Sequence, residues 1–279
     1  KTKMAQPGMV FLTYKPVDEI DAIIEHYCAH HQTENDYVDS QNVRHQLWKI
    51  DNENITRKLV ELFSEKVPAS YIADGHHRSA GAAKVGRQLR EENPNHTGNE
   101  SYNFFLSCLF PSNQLQIQDY NRLVKDLNGL TETELLDKIK THFEVEAKGA
   151  NTYKPTQLHE FSMYLNGVWY KLTAHDDTYN PNDPIGVLDV TILSKFVLDE
   201  VLGIKDQRTD KRIDFVGGIR GLGELQKRVD SGEMAIAFAL YPVSLDQLIA
   251  IADSGNIMPP KSTWFEPKLK SGLVINLLK

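Results

Sequence analysis

The stretch YIADGHHRSAGAAK, residues 71–84, decides how this chain reads. ASYIAD (69–74) has the apolar character of a short strand, and the alanine-rich residues from His76 to about Glu92 read as a helix. Gly75 stands between them, able to turn the chain sharply and to let a ligand approach the backbone. The first N–H groups of an α-helix have no intrahelical partner and carry a partial positive charge, so a strand–glycine–helix junction is suited to an anion. His76, His77 and Arg78 add donors, and Arg78 can grip phosphate oxygens with two parallel hydrogen bonds. Ala80, Ala82 and Ala83 predict first helical turns packed closely on a sheet. From the residues alone, Asp74-Gly75 also reads as a plain turn with Asp74 capping the helix. Metal ligation by the two histidines is disfavoured, because adjacent helical positions point about 100° apart; no metal site is assigned.

Upstream, MVFLTY (9–14) reads as a strand, and VDEIDAIIEHY (17–27) spaces Val17, Ile20, Ile23, Ile24 and Tyr27 as a helical face. RHQLWKI (44–50) is strand-like, and NENITRKLVELFSEK (52–66) predicts a helix capped by Asn52. Downstream, YNFFLSCLF (102–110) predicts a buried strand and QLQIQDY (114–120) a half-exposed one. Thr131 and Glu134 form a capping box before an amphipathic helix. EFSMYLNGVWYKLTA (160–174) predicts a hairpin, since Asn166-Gly167 accepts the positive φ angles of a two-residue turn. DVTILSKFVLDEVLG (189–203) reads as a helix capped by Asp189 and ended by Gly203, after which strand, helix, strand and helix alternate, with a last strand in SGLVINLL (271–278). The fold class is α+β, with a division expected near 150.

At 279 residues the chain has room for one large domain or two intimate ones of about 100–200 residues each. Composition is ordinary for a globular protein, 41% hydrophobic and 25% charged, and no apolar run approaches the ~20 residues of a membrane span. A net charge of −7 speaks against an extended nucleic-acid surface but leaves room for a local anion pocket. Neither a membrane nor a nucleic acid is expected as a partner; oligomeric state is not legible. Cys28 and Cys108 form no C-x-x-C pair, which indicates neither zinc nor a disulfide framework and fits a reducing cytoplasm. The opening KTKMAQPGMVFLTY carries no initiator Met and no secretory pattern, and reads as the interior of a longer protein.

Three further segments could serve a ligand. Tyr120, Asn121 and Arg122 follow a predicted strand, where they could meet a ribose or phosphate or simply end the strand. Asp210, Lys211, Arg212, Asp214 and Arg220 gather charge around a strand and its glycine turn, which also reads as ordinary surface. In PPKSTWFEPK (259–268), Lys261 and Ser262 offer an ammonium and a hydroxyl, without the upstream glycines of a P-loop, while Trp264 and Phe265 read as core. G-x-S-x-G and H-E-x-x-H are absent. Cys28 beside His26, His30 and His31 reads better as a polar helix end than as a thiol nucleophile.

YIADGHHRSAGAAKVG resembles the signature of a prokaryotic family known as domain of unknown function ten-fifteen. The resemblance continues through YNFFLSCLFP, DYNRLVKDLNGL, RTDKRIDFVGGIRG and MPPKSTWFEPKLKSGL. Gly75 and Arg78 are also similar to the G-x-x-R phosphate motif of the ParB-like and sulfiredoxin-like fold, and D-G-H-H-R resembles its form in free-serine kinases of that fold. The resemblance implies a ParB/sulfiredoxin-like nucleotide-binding core in residues 1–150 and an intimately packed mixed α/β portion in 151–279. It also implies that a longer N-terminal segment precedes this chain and holds a general base.

The function expected is nucleotide-dependent phosphotransfer to a small hydroxylated metabolite, with free serine implied by the resemblance; the rival is a nucleotide-binding regulatory module without turnover. Asp74, His76, His77 and Arg78 are the candidate catalytic residues. Gly75, Asn121, Arg122, Arg220, Lys261 and Ser262 are the candidate nucleotide ligands. ADP or ATP with Mg²⁺ would be the cofactors, Asp74 reaching the ion directly or through water.

Overall fold

In the computed structural model, which describes residues 5–278, all five residues of the strand Val10–Tyr14 are buried. Chain contacts group the residues up to 115 with those from 267 onward as one unit, and residues 116–266 as another. The first unit runs β1 (Ala5–Gln6), β2 (Val10–Tyr14), α1 (Asp18–His30), β3 (Asn35–Val38), β4 (Arg44–Leu47), α2 (Glu53–Lys66), β5 (Tyr71–Asp74), α3 (His76–Glu92) and β6 (Ser107–Pro111). β2 is the middle of a three-stranded sheet, antiparallel to β5 and parallel to β6. Tyr14, Val17, Ile20 and Leu62 form a small core, where Phe63 meets the Tyr14 ring edge-on at 5.1 Å. Asn52 caps α2 as expected, its side chain accepting from the amides of Asn54 and Ile55.

The residues after 266 are built into this unit. Asn276–Leu277 pairs with β1, the Gly272 amide donates to the Pro7 carbonyl at 3.0 Å, and Lys270 pairs with Asp39 at 2.6 Å. Asp39 follows β3 in the β3–β4 hairpin and also accepts the amides of Gln41 and Val43. The last strand is thus two residues long rather than the eight of SGLVINLL.

Two expectations for this unit are corrected. Residues 102–110 are not one buried strand: 101–103 form a short 3-10 turn against α3, only Ser107–Pro111 is extended, and Phe104 and Phe105 are 61% and 42% exposed. Of the small residues expected to pack α3 closely on a sheet, Ala80 and Ala83 are exposed, and only Ala82 is half-buried, lining a cavity with Val10 of β2. Gly86 instead provides the close approach: a Cβ there would lie 2.8 Å from the Tyr102 carbonyl oxygen.

The second unit runs β7 (Gln116–Gln118), β8 (Tyr120–Val124), α4 (Glu132–Ile139), β9 (Phe143–Gly149), β10 (Glu160–Leu165), β11 (Val168–Ala174), α5 (Asp189–Leu193), β12 (Ile213–Gly217), α6 (Leu222–Asp230), β13 (Ile236–Leu240), α7 (Leu245–Asp253) and β14 (Trp264–Glu266). Six strands pair antiparallel in the order β12-β8-β13-β10-β11-β9. Strand alternation sends Phe161, Met163, Ile236 and Phe238 into a large core with α4 and the residues around α5. Tyr164, Ala237 and Ala239 go into a smaller core with Leu225 of α6. The β10–β11 hairpin turns at Asn166 and Gly167, with φ of 45° and 81°, and the Thr131–Glu134 capping box starts α4.

The helix beginning at Asp189 is α-helical only to Leu193, continues as a π-helical turn over Ser194–Asp199, and gives way to the positive φ of Gly203. Asp189 does not cap it: its carboxylate accepts the His159 amide at 2.9 Å instead. Because β9 pairs with β11, residues 116–150 group with residues 151–266, so the contacts divide the chain at 115 and 266 where the sequence pointed to 150. Among the described residues no helix is long and apolar enough to cross a membrane.

Candidate functional site

Gly75 holds a φ of +97° at the N-terminus of α3, a conformation that glycine adopts without strain. The turn follows directly from β5, and the Ser79 amide makes the first helical bond, to the Gly75 carbonyl at 2.9 Å. The amides of 76–78 therefore precede the hydrogen-bonded ladder. Arg78 folds back over this turn: a Cβ on Gly75 would lie 2.9 Å from its Nε and Nη2, and a Cβ on Gly8 would lie 3.4 Å from its Cδ. Two glycines thus make room for one guanidinium. Its only carboxylate partner among the described residues is Asp74, at a loose 3.4 Å, with both side chains largely exposed. His76 and His77 are exposed and have no hydrogen-bond partner among the described residues. Among those residues no three His, Cys, Asp or Glu side chains gather to hold a metal.

Behind Arg78 lies a cavity of about 440 Å³, within the range of small-molecule sites. Its apolar wall includes Val10, Ala82, Val85, Phe105, Leu106 and Leu278, with Gly81 beside them. Among the described residues Arg78 is its one charged lining residue, and Gln6 and Ser271 add polar groups. The walls come from distant parts of the sequence, tied by the Val10 amide to the Leu106 carbonyl and by the Leu106 amide to Gln6 Oε1, both at 2.8 Å. Gly8 and Ser271 escaped the sequence reading because only the fold brings residues 5–8 and 271–278 to α3.

Asn121, Arg122, Lys261, Ser262 and Arg220 belong to the second unit, the Asp74–Arg78 turn to the first. Asn121 and Arg122 follow β7 but sit inside a second strand, β8, with both side chains in the interior. Asn121 donates to Asp119 and accepts the Leu240 amide. Arg122 is 1% exposed, donates to the carbonyls of Tyr120 and Lys261, and leaves Nε without a partner. Burial pulls its guanidinium down to about 9. Lys261 takes a φ of +57° and carries Nζ 5.6 Å and 5.8 Å from the Tyr120 and Phe215 ring centres. Ser262 is buried and donates to the Pro259 carbonyl at 2.6 Å. Arg220 is exposed on the glycine turn after β12, whereas Arg212 is held by Asp210 and Asp126.

The second unit has a cavity of its own, about 430 Å³, whose wall includes Tyr179, Thr191 and Lys195. Tyr179 stacks on His159 at 3.7 Å, and His159 Nδ1 lies 3.2 Å from Asp189 Oδ1. No motif in the sequence announced this histidine–aspartate pair, whose members are thirty positions apart.

A family model described as a protein of unknown function, DUF1015, matches residues 1–191. The chain belongs to that family. No curated protein matches it. Among solved structures, a conserved hypothetical protein from Pyrococcus furiosus is 14% identical, with 96% of this chain and 92% of that chain covered at a TM-score of 0.41. A free serine kinase mutant in complex with AMP is also 14% identical, with 91% and 83% covered at a TM-score of 0.39. The free serine kinase in complex with AMP is 15% identical over the same shares, at 0.37. At TM-scores this low, these likenesses carry no argument about the site.

Proposed function

We propose that this protein binds a nucleoside di- or triphosphate at the β5–α3 turn and transfers phosphate to a small hydroxylated metabolite such as free serine. The observation that carries the reading is Arg78, a guanidinium seated over two glycines at a helix N-terminus and on the rim of a cavity. Phosphoryl transfer asks a protein mainly to position the reactants and neutralise charge. The amides of 76–78 and Arg78 would hold phosphate oxygens, and His76 and His77, exposed at the same turn, would add donors. Asp74 fits a shared Mg²⁺: its carboxylate is largely exposed and engaged only by Arg78. Of the candidate ligands in the second unit, Asn121 and Arg122 are occupied internally, whereas Arg220 is exposed.

A second reading, binding without turnover, is favoured by one observation: among the described residues the wall of the Arg78 cavity contains no Asp, Glu or His that could act as a general base. Two measurements decide between the readings. Arg78→Ala should weaken ADP and ATP binding in a calorimetric titration by about 1.5–3 kcal/mol, the scale of a lost charge-assisted hydrogen bond; unchanged affinity would remove the site. Formation of phosphoserine from serine, Mg²⁺ and nucleotide would exclude the binding-only reading.

A further inference from the structure

We infer that the cavity behind Arg78 seats the flat base of the nucleotide, and that Gly81 is the residue that keeps it open. The inference rests on the reading that Arg78 and the α3 amides hold the phosphates. A phosphate site needs no apolar chamber, yet Arg78 stands on the rim of one, and among the described residues it is the only charge in that wall. A ligand matching such a surface is anionic at one end and apolar at the other.

The polar groups in the wall narrow the class. Gln6 accepts the Leu106 amide at 2.8 Å, and since a backbone N–H can only donate, the atom facing it must be the amide oxygen. The Gln6 NH₂ therefore remains as a donor and has no partner among the described residues, and neither has the Ser271 hydroxyl. Donors set in an apolar wall suit the ring nitrogens and carbonyls of a nucleobase rather than an alkyl chain. Phe105 lines the same cavity although its ring is 42% exposed, which leaves it free to stack on a base.

Gly81 has no conformational reason to be glycine. It lies within α3, has no positive φ, and a Cβ built on it meets nothing within 4 Å. Alanine or leucine would be the better helix former there. Gly81 is exposed and lines the chamber, and we take a longer side chain there to fill part of that open space.

The test compares ADP with pyrophosphate, which carries the same anion without a base, on the full chain and on Gly81→Leu and Phe105→Ala. The parent should bind ADP more tightly than pyrophosphate. Gly81→Leu should lose ADP affinity by about tenfold or more and keep pyrophosphate unchanged, with a Tm equal to or above the parent's; Phe105→Ala should lose ADP affinity in the same selective way, on the scale of base–aromatic stacking. Equal ADP affinity in the parent and in a folded Gly81→Leu overturns the inference, as does equal binding of ADP and pyrophosphate by the parent; in both cases the phosphate site stands. Tighter binding of decyl phosphate than of ADP would assign the chamber to an alkyl chain instead. Failure of the parent to bind either anion would overturn the phosphate reading, and this inference with it.

Discussion

Asp189 is 3% exposed, accepts the His159 amide, and leaves its second oxygen without a partner. Burial raises its pKa, partly opposed by His159. A carboxyl whose folded pKa lies above its unfolded value, near 3.9, favours the native state in its protonated form. Just above that value the folded chain binds more protons than the unfolded one, so stability declines as pH rises through the folded pKa. Asp189→Asn keeps an oxygen for the His159 amide and cannot ionise. Its Tm should fall less than the parent's between pH 4 and pH 7, and an identical pH profile would show that this carboxyl contributes nothing to the slope. At this scale the sequence misled in a consistent way: Asp189 looked like a cap and Asn121 and Arg122 like residues at a strand end, because local spacing cannot report which side of a strand or helix the core will cover. Gly75 was legible, because a glycine between an apolar run and a helix has a backbone reason to be there.

At the scale of elements, α3 contains two glycines with opposite surroundings. A Cβ on Gly86 would lie 2.8 Å from the Tyr102 carbonyl oxygen, a backbone atom that cannot swing aside; a Cβ on Gly81 has no neighbour within 4 Å. Gly81→Ala should therefore stabilise the protein by about 0.5–1 kcal/mol, the helix preference for alanine. Gly86→Ala should destabilise it by about 1–2 kcal/mol, the usual cost of overpacking less that preference. Urea melts of the two variants check this, and equal effects would mean that the 101–103 turn yields freely. Elements set by local chemistry were readable: the Asn52 cap, the Thr131–Glu134 box and the Asn-Gly hairpin. The apolar run 102–110 was not, since an apolar run looks the same whether the fold buries it or leaves Phe104 and Phe105 in solvent.

At the scale of the molecule, the second unit is continuous in sequence, with a six-stranded sheet and a core on each face, while the first unit needs residues from both ends. Residues 116–266 expressed alone should unfold cooperatively in urea, with the fully buried Trp169 reporting the transition. A gradual, non-cooperative change would show that the second unit depends on the first. The mixed α and β character was legible from alternating patterns, but the division at 115 and 266 was not: strand pairing across a hundred or more residues leaves no local mark.

The return of residues 267–278 to β1, Pro7 and Asp39 bears on the order in which the protein is made. Domains generally fold first at the N-terminus as the chain leaves the ribosome. Here residues 116–266 have all emerged while the first unit still lacks the strand Asn276–Leu277 and Lys270. Ser271 and Leu278, two walls of the Arg78 cavity, leave the ribosome only after residues 116–266 have done so. A nascent chain stalled before residue 267 would already carry the Asp74–Arg78 turn, yet without a finished chamber behind it.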